Sequence, residues 1–254
     1  MEPLNVYTKQ QRIAELANRH PELSFTSLAY HIDLEWLQEA YMLTRKDGAS
    51  GIDGQTAGDY ERNLESNLKE LLEKFKSGRY TAPPVRRTYI PKDNGEKRPI
   101  GIPTIEDKIL QRAIVMLLNP IYEHDFLPCS FGFRQERSAH NALQIIWESI
   151  MKRKRCYVLE VDLRKYFDTV KHEHIREFVK KRVSDGVVCR IIGKWLKAGV
   201  MEGGAIHYSE EGTPQGGVIS PLLSNVYLHE VLDKWFEKRN PVQAERSVRA
   251  DSIR

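Results

Sequence analysis

The chain has 254 residues, 41% of them hydrophobic, which is enough to bury a sizeable core in one large domain or two small ones. Its 39 Lys and Arg against 35 Asp and Glu give a net charge of +4, which only weakly favours a polyanionic partner. The three cysteines form no Cys-x-x-Cys pair, so zinc-finger and dithiol redox motifs are excluded. With no charged-then-apolar leader and no apolar run near the ~20 residues that span a bilayer, we expect an intracellular, cytoplasmic protein that does not span a membrane.

Helices and a glycine-rich loop are predicted for the first part of the chain. Residues 1–45 keep roughly helical apolar spacing, broken at His20-Pro21. The loop, residues 47–58, contains Gly48-Ala-Ser-Gly-Ile-Asp-Gly-Gln-Thr56. A clean apolar stripe then predicts a helix from Tyr60 to Phe75, which Ser77-Gly78 ends.

A β-hairpin with a basic tip is predicted next. Val85 to Ile90 and Lys97 to Ile102 flank a polar turn from Pro91 to Glu96. Seven Lys or Arg against two acids lie between Lys76 and Arg98, and a second basic run is Lys152-Arg-Lys-Arg155. One such run is ordinarily a solvated face, but two near one candidate site favour contact with a nucleic-acid backbone.

Mixed helices and hairpins are predicted for the remainder, so the fold class is α+β. The segments are helices over 106–118, 138–151, 172–183 and 187–198, a second hairpin over 199–212, and a final helix. In that last helix we expect Ser220 as the N-cap and Pro221 at the first position.

Two further segments carry the strongest signal. Tyr157-Val-Leu-Glu-Val-Asp162 is an apolar strand that delivers a carboxylate at its end. Gly212-Thr-Pro-Gln-Gly-Gly-Val-Ile-Ser-Pro221 is a glycine-rich turn that leads into a helix.

In this order, and together with Lys97-Arg-Pro-Ile-Gly-Ile-Pro103, Ser130-Phe-Gly-Phe-Arg134 and the loop at 48–56, these segments resemble the reverse transcriptases encoded by group II introns. The resemblance implies right-hand polymerase fingers and an incomplete palm. It also implies a helical N-terminal extension over 1–59 and a reverse transcriptase domain over 60–254.

The resemblance implies that Asp162 is a catalytic ligand of Mg²⁺, with the Leu163 carbonyl as a possible further ligand. Without the resemblance, Asp162 is equally well an aspartate that reaches solvent at a strand end. Asp168 is kept out of the catalytic set because relatives more often use it to cap the following helix.

Four residues match the nucleotide-binding positions of the family. Lys92 and Arg98 match two cations of the fingers that grip the triphosphate, although both also fit a solvated turn. Phe167 matches the aromatic gate that rejects a 2′-hydroxyl, and its alternative is an ordinary core residue. Gln215 matches a glutamine that approaches the nucleotide, and Gly216 and Gly217 are expected to allow close backbone approach.

Other candidates stay open or are set aside. Phe131, Phe133 and Arg134 fit a template contact and a core plug equally well. His172 and His174 are expected to be surface residues, because a helix gives them no metal-binding spacing and no third ligand is near.

The Tyr-Ala-Asp-Asp tetrapeptide, whose aspartates complete the metal site of relatives, does not occur in this sequence. Either the chain ends before it, or Arg249-Ala-Asp-Ser252 is a decayed copy.

We therefore expect a fragment of an RNA-directed DNA polymerase that is inactive alone, with RNA template, intron RNA, a DNA primer or target and dNTP as partners. The alternatives are a non-catalytic, maturase-type module that binds intron RNA, and a defence or CRISPR-associated reverse transcriptase; the oligomeric state is not predicted.

Overall fold

The structure is a computed structural model. It describes residues 5–91, 95–152, 157–164, 166–208, 211–212 and 216–239, with the side chain of Asp168 left out. In the description below, helices and strands are numbered in chain order.

The N-terminal helices pack on a long helix from the middle of the chain. Helix α1 is Val6–Arg19, a 3₁₀ turn is Leu28–His31, and α2 is Leu34–Met42. The indole of Trp36, wholly buried in α2, donates to the Ala113 carbonyl at 3.0 Å. These helices therefore share one apolar core with helices from the middle and the later part of the described chain. The predicted domain boundary at residue 59 stays a prediction.

The glycine-rich loop at 47–58 lies against the start of that long helix. A β carbon on Gly51 would come within 2.6 Å of the Thr104 backbone, so only glycine fits there. Thr56 and Asp59 form a capping box for α3 (Ala57–Glu61). Helix α4 (Leu64–Lys76) ends at Ser77, and Gly78 follows with a φ of 74°, as the sequence predicts.

A four-stranded sheet follows, in the order β2-β1-β3-β4. The predicted hairpin is confirmed: β1 (Val85–Pro91) pairs antiparallel with β2 (Lys97–Ile102). The second predicted hairpin is also present, as β3 (Val200–Glu202) and β4 (Ala205–His207). Val85 pairs with Val200 in parallel, so the two hairpins form one sheet.

Helix α5 (Ile105–Asp125) is the centre of the core, and Thr104 caps its start. It is longer than the predicted 106–118 and passes through Pro120. A proline inside a helix costs about 3 kcal/mol. The buried side chains of Ile121 and Tyr122 continue the apolar face beyond Pro120, and their burial offsets that cost.

The remaining helices are mostly where the sequence predicts them. They are α6 (Ala139–Met151), α7 (Tyr166–Thr169), α8 (His172–Arg182), α9 (Gly186–Leu196), α10 (Ser220–Leu228) and α11 (Lys234–Arg239), with a π turn at His229–Asp233 before α11. Ser220 is the first residue of α10 and not its N-cap, a position that Ile219 holds. No described helix has the length and apolarity that crossing a bilayer requires.

The strand predicted over 157–162 is not formed. Residues 157–163 have no regular structure and pair with none of the described strands. Their apolar side chains are exposed, to the extent of 87% for Leu159. Strand structure depends on pairing partners, and this segment has none among the described residues. Helix α6 does form, but it too has no buried residue.

Candidate nucleotide-binding site

The β1–β2 hairpin holds one of the predicted triphosphate ligands. Arg98 is exposed on β2, where it pairs with Ile90 of β1, next to the pair of Lys97 and Pro91. Antiparallel pairing over six residue pairs makes this a rigid support for the guanidinium. Lys92 lies outside the described residues.

Three cations of the basic segment make contacts within the protein. Arg86 donates to the Ser50 carbonyl, Lys76 donates to that of Ala29, and Arg79 pairs with Glu73. Lys97 and Arg98 are exposed on β2, and Lys76 and Arg79 are exposed as well. Lys152 of the second run is exposed and lies 3.4 Å from Glu148, and residues 153–155 lie outside the described part of the chain.

The glycine-rich loop lies directly against this hairpin. Gly216 has a φ of 110°, and a β carbon there would lie 2.5 Å from the Gly101 carbonyl oxygen and 2.7 Å from Ile100 Cγ2. Any larger residue at 216 would therefore push the loop away from β2. The expected close approach at Gly216 is present, and Gln215, its neighbour in the chain, lies outside the described residues.

The start of the same loop is held by α8. The Gly212 amide donates to the Val170 carbonyl at 2.7 Å, and the Gly212 carbonyl contacts His172 Nε2. His172 is 6% exposed, so the surface position expected for it is wrong. Its burial follows from this contact with a loop 40 residues away, which local sequence does not reveal. His174 is partly exposed.

A buried carboxylate, which the sequence did not single out, fixes the far end of the loop. Asp107 accepts hydrogen bonds from Tyr80 (2.8 Å), Trp195 (2.5 Å) and Gln111 (2.9 Å). The other end of the Gln111 amide accepts from the Ile219 backbone at 3.2 Å. Burial raises the pKa of Asp107 to about 6, although the three donors lower it. The only sequence signal is an acid three residues after the Thr104 cap, and its flanking residues, Glu106 and Lys108, give no sign of burial.

The proposed metal ligands lie in the irregular segment. Asp162 is exposed and Leu163 is 47% exposed, so both residues lie at the surface. Among the residues that the structure describes, no three His, Cys, Asp or Glu side chains cluster as a metal site.

The predicted sugar gate lies on α7. Phe167 is half-buried and meets the Tyr166 ring edge to face, with 5.2 Å between the ring centroids. The Tyr166 hydroxyl donates to the Ser224 carbonyl at 3.1 Å, which ties α7 to α10. Asp168 lies inside α7, and Lys171 is the N-cap of α8. The side chain of Asp168 lies outside the described part of the chain, so its capping role stays a prediction.

The two open interpretations of the loop at 130–134 apply to different residues. Arg134 is buried and donates to Glu123 (2.8 Å), to the Leu127 carbonyl (2.8 Å) and to the Ser130 carbonyl (2.9 Å), so it is a structural plug. Phe133, by contrast, is 78% exposed.

Comparison with known proteins agrees with this arrangement of the β1–β2 hairpin, the glycine-rich loop and α7. Residues 90–246 match the family described as Reverse transcriptase (RNA-dependent DNA polymerase). The chain belongs to the reverse transcriptase family. This match confirms the predicted α+β reverse transcriptase fold, and the relatives described next confirm the resemblance to group II intron proteins.

Individual relatives are consistent with this assignment. The chain is 39% identical to Protein YkfC of Escherichia coli over 91% of its own length and 62% of that protein. It is 36% identical to Group II intron-encoded protein LtrA of Lactococcus lactis subsp. cremoris over 89% of its own length and 37% of that protein. The chain thus spans less than two thirds of these relatives. A solved structure, the partial Cas6-RT-Cas1--Cas2 complex, shares the fold with a TM-score of 0.52, at 21% identity over 82% of this chain and 34% of that one.

Proposed function

We propose that the chain forms the nucleotide-binding part of a group II intron reverse transcriptase, an RNA-directed DNA polymerase. The observation that carries the proposal is the close packing of Gly216 on Gly101. It joins the loop that contains Gln215 to the strand that contains Arg98. A polymerase needs both beside one nucleotide, because positioning provides most of the catalysis in phosphoryl transfer.

Each residue of the site has a proposed role. Arg98, with Lys92, binds the triphosphate, since a guanidinium offers two parallel donors to phosphate oxygens. Phe167 lies beside C2′ of the sugar and excludes a hydroxyl by overlap. Gln215 contacts the bound nucleotide.

Asp162 and the Leu163 carbonyl are the proposed ligands of Mg²⁺. Both offer the hard oxygen atoms that Mg²⁺ prefers, and their exposure leaves room for the water and phosphate oxygens that it retains. When bound, the ion would neutralise charge that develops on the phosphates. Asp162 lies at the surface, where a primer end and a triphosphate have access.

The proposed partners are an RNA template, intron RNA and a DNA primer, bound in the cytoplasm. Exposed Lys97 and Arg98 provide phosphate contacts on β2. The same cations suit a second candidate function, a maturase-type module that binds intron RNA without chemistry.

Binding of structured RNA at several salt concentrations tests the nucleic-acid surface. We expect affinity to fall as salt rises, with a log-log slope that becomes shallower by about one for each cation lost in Lys97→Gln/Arg98→Gln. Arg19→Gln/Lys69→Gln is the matched control, because both residues are exposed, on α1 and α4, and the change in charge is equal. Equal slopes for both double variants, or an affinity that does not change with salt, would show that β2 is not part of the RNA-binding surface.

A further inference from the structure

Phe133 combines two properties that disfavour it in a folded protein. Its φ is 56°, in the left-handed region, where a bulky side chain is strained. Its ring is 78% exposed, so burial recovers little of that cost. Among the described residues, Phe133 and Glu136 are the only residues other than glycine with positive φ, and both lie in the loop at 131–137.

The surrounding structure holds this loop in place. Arg134 is anchored on Glu123 and on two carbonyls of the same loop, as described above. Asn225 of α10 donates to the Gly132 carbonyl at 2.8 Å, directly before Phe133. Strain that the surroundings enforce in this way is found most often at functional sites.

The loop is also close to the candidate nucleotide site. Asn225 holds the loop, and the adjacent Ser224 accepts the hydrogen bond from Tyr166, the neighbour of Phe167. Two consecutive residues of α10 thus connect Phe133 to the proposed sugar gate.

The loop that contains Phe133 also carries an aromatic ring in contact with a cation, and it borders a polar groove. The Arg137 guanidinium lies 5.5 Å from the centroid of the Phe131 ring. Gln135, Asn141 and Gln144 line the groove between this loop and α6, together with the carboxylates of Glu123, Glu136 and Glu148. Aromatic rings and cations together are the usual means of holding an unpaired strand, because every base has a face to stack on.

We propose that Phe133 is a base-stacking residue for the single-stranded template next to the nucleotide site. This inference rests on the proposed function and adds to it a residue that holds the template. The left-handed backbone presents the ring to solvent, and Arg134 and Asn225 keep it there.

The test compares binding of labelled oligodeoxyadenylate with binding of an abasic strand of the same length. We expect Phe133→Ala and Phe133→Gly to weaken binding to oligodeoxyadenylate about 5- to 100-fold and Phe133→Trp to retain it. On the abasic strand all four proteins should bind alike, because only phosphate contacts remain. Phe133→Gly should melt at the same temperature as the parent chain or higher, because glycine relieves the left-handed strain. Tyr30→Ala, at another aromatic residue that is 83% exposed, is the control that should bind like the parent chain.

Three outcomes would overturn the inference. They are unchanged binding by Phe133→Ala, an equal loss on the abasic strand, and an equal loss in Tyr30→Ala. If one of these outcomes is found while the parent chain still binds RNA in a salt-dependent manner, the stacking role has failed and the proposed function has not. If the parent chain binds neither strand nor RNA, the proposed function has failed with it.

Discussion

Gly216 lies against Gly101, so closely that a β carbon on Gly216 would be 2.5 Å from the Gly101 carbonyl oxygen. The contact joins two segments that are more than one hundred residues apart and that each contain a proposed nucleotide ligand. Because β2 is paired with β1 along its length, the loop cannot shift without disturbing the sheet. The packing of these two glycines therefore sets the geometry of the candidate site.

Replacing Gly216 by alanine should destabilise the protein by more than backbone strain alone. We expect Gly216→Ala to lower the free energy of unfolding by about 2 to 3 kcal/mol, from left-handed strain together with overlap with backbone atoms. Gly204→Ala is the matched control: Gly204 has a φ of 86°, but nothing lies within 4 Å of its β-carbon position. It should cost only about 1 kcal/mol. Urea denaturation measures both, and equal losses would show that the close approach is not a constraint.

The buried carboxylate of Asp107 should make stability fall as the pH rises from about 4 to about 6. Its pKa is raised by burial to about 6, so the folded protein keeps a proton that the unfolded protein has released. The free energy of unfolding contributed by this group is therefore largest below pH 4 and levels off above pH 6. The loss is on the order of 3 kcal/mol, from about two pKa units.

Asp107→Asn isolates this effect, because asparagine does not titrate. The stability of the parent chain relative to this variant should fall between pH 4 and pH 7 in urea titrations. Asp47→Asn is a control of opposite sign, because a hydrogen bond from Arg45 lowers the pKa of exposed Asp47. A stability difference for Asp107→Asn that is constant with pH would contradict the raised pKa.

Replacing Phe167 by valine should relax sugar selection without unfolding the site. In a chain extended with a relative's segment from Tyr-Ala-Asp-Asp through the thumb, Phe167→Val should incorporate ribonucleotides more readily, because the smaller side chain leaves room for the 2′-hydroxyl. Phe178→Val is the control, since Phe178 packs on Tyr227 in the same aromatic cluster without a proposed role toward sugar. Single-nucleotide incorporation of dNTP against NTP measures the preference. An equal change in both variants would indicate general loosening.

Local patterns predicted the hairpins and most of the helices correctly. The alternating residues from Val85 to Ile102 have their pairing partners nearby in the chain, so the pattern was sufficient. The same reasoning failed for 157–162, because strand formation there needs a partner that local sequence does not specify. An apolar run shows what a segment prefers to bury and leaves open what covers it.

The candidate site was predictable where it depends on the type of residue in a motif. It was not predictable where it depends on contacts between segments that are distant in the sequence. The family motifs point to Arg98 and Phe167, whose roles stay predictions, and the glycine at 216 indicated a close contact without naming Gly101. The Asp107 network was missed because its donors Tyr80 and Trp195 are 27 and 88 residues away in sequence. The burial of His172 was missed for the same reason.

The most direct test of the account is primer extension on an RNA template with Mg²⁺. The 254-residue chain should give background extension, because Asp162 is the one acid of its sequence assigned to the metal site and Tyr-Ala-Asp-Asp is absent from it. Appending a relative's segment from Tyr-Ala-Asp-Asp through the thumb should restore extension, and Asp162→Asn in that chain should abolish it while leaving its melting temperature and salt-dependent RNA binding unchanged. Full extension by the folded Asp162→Asn protein would contradict the account.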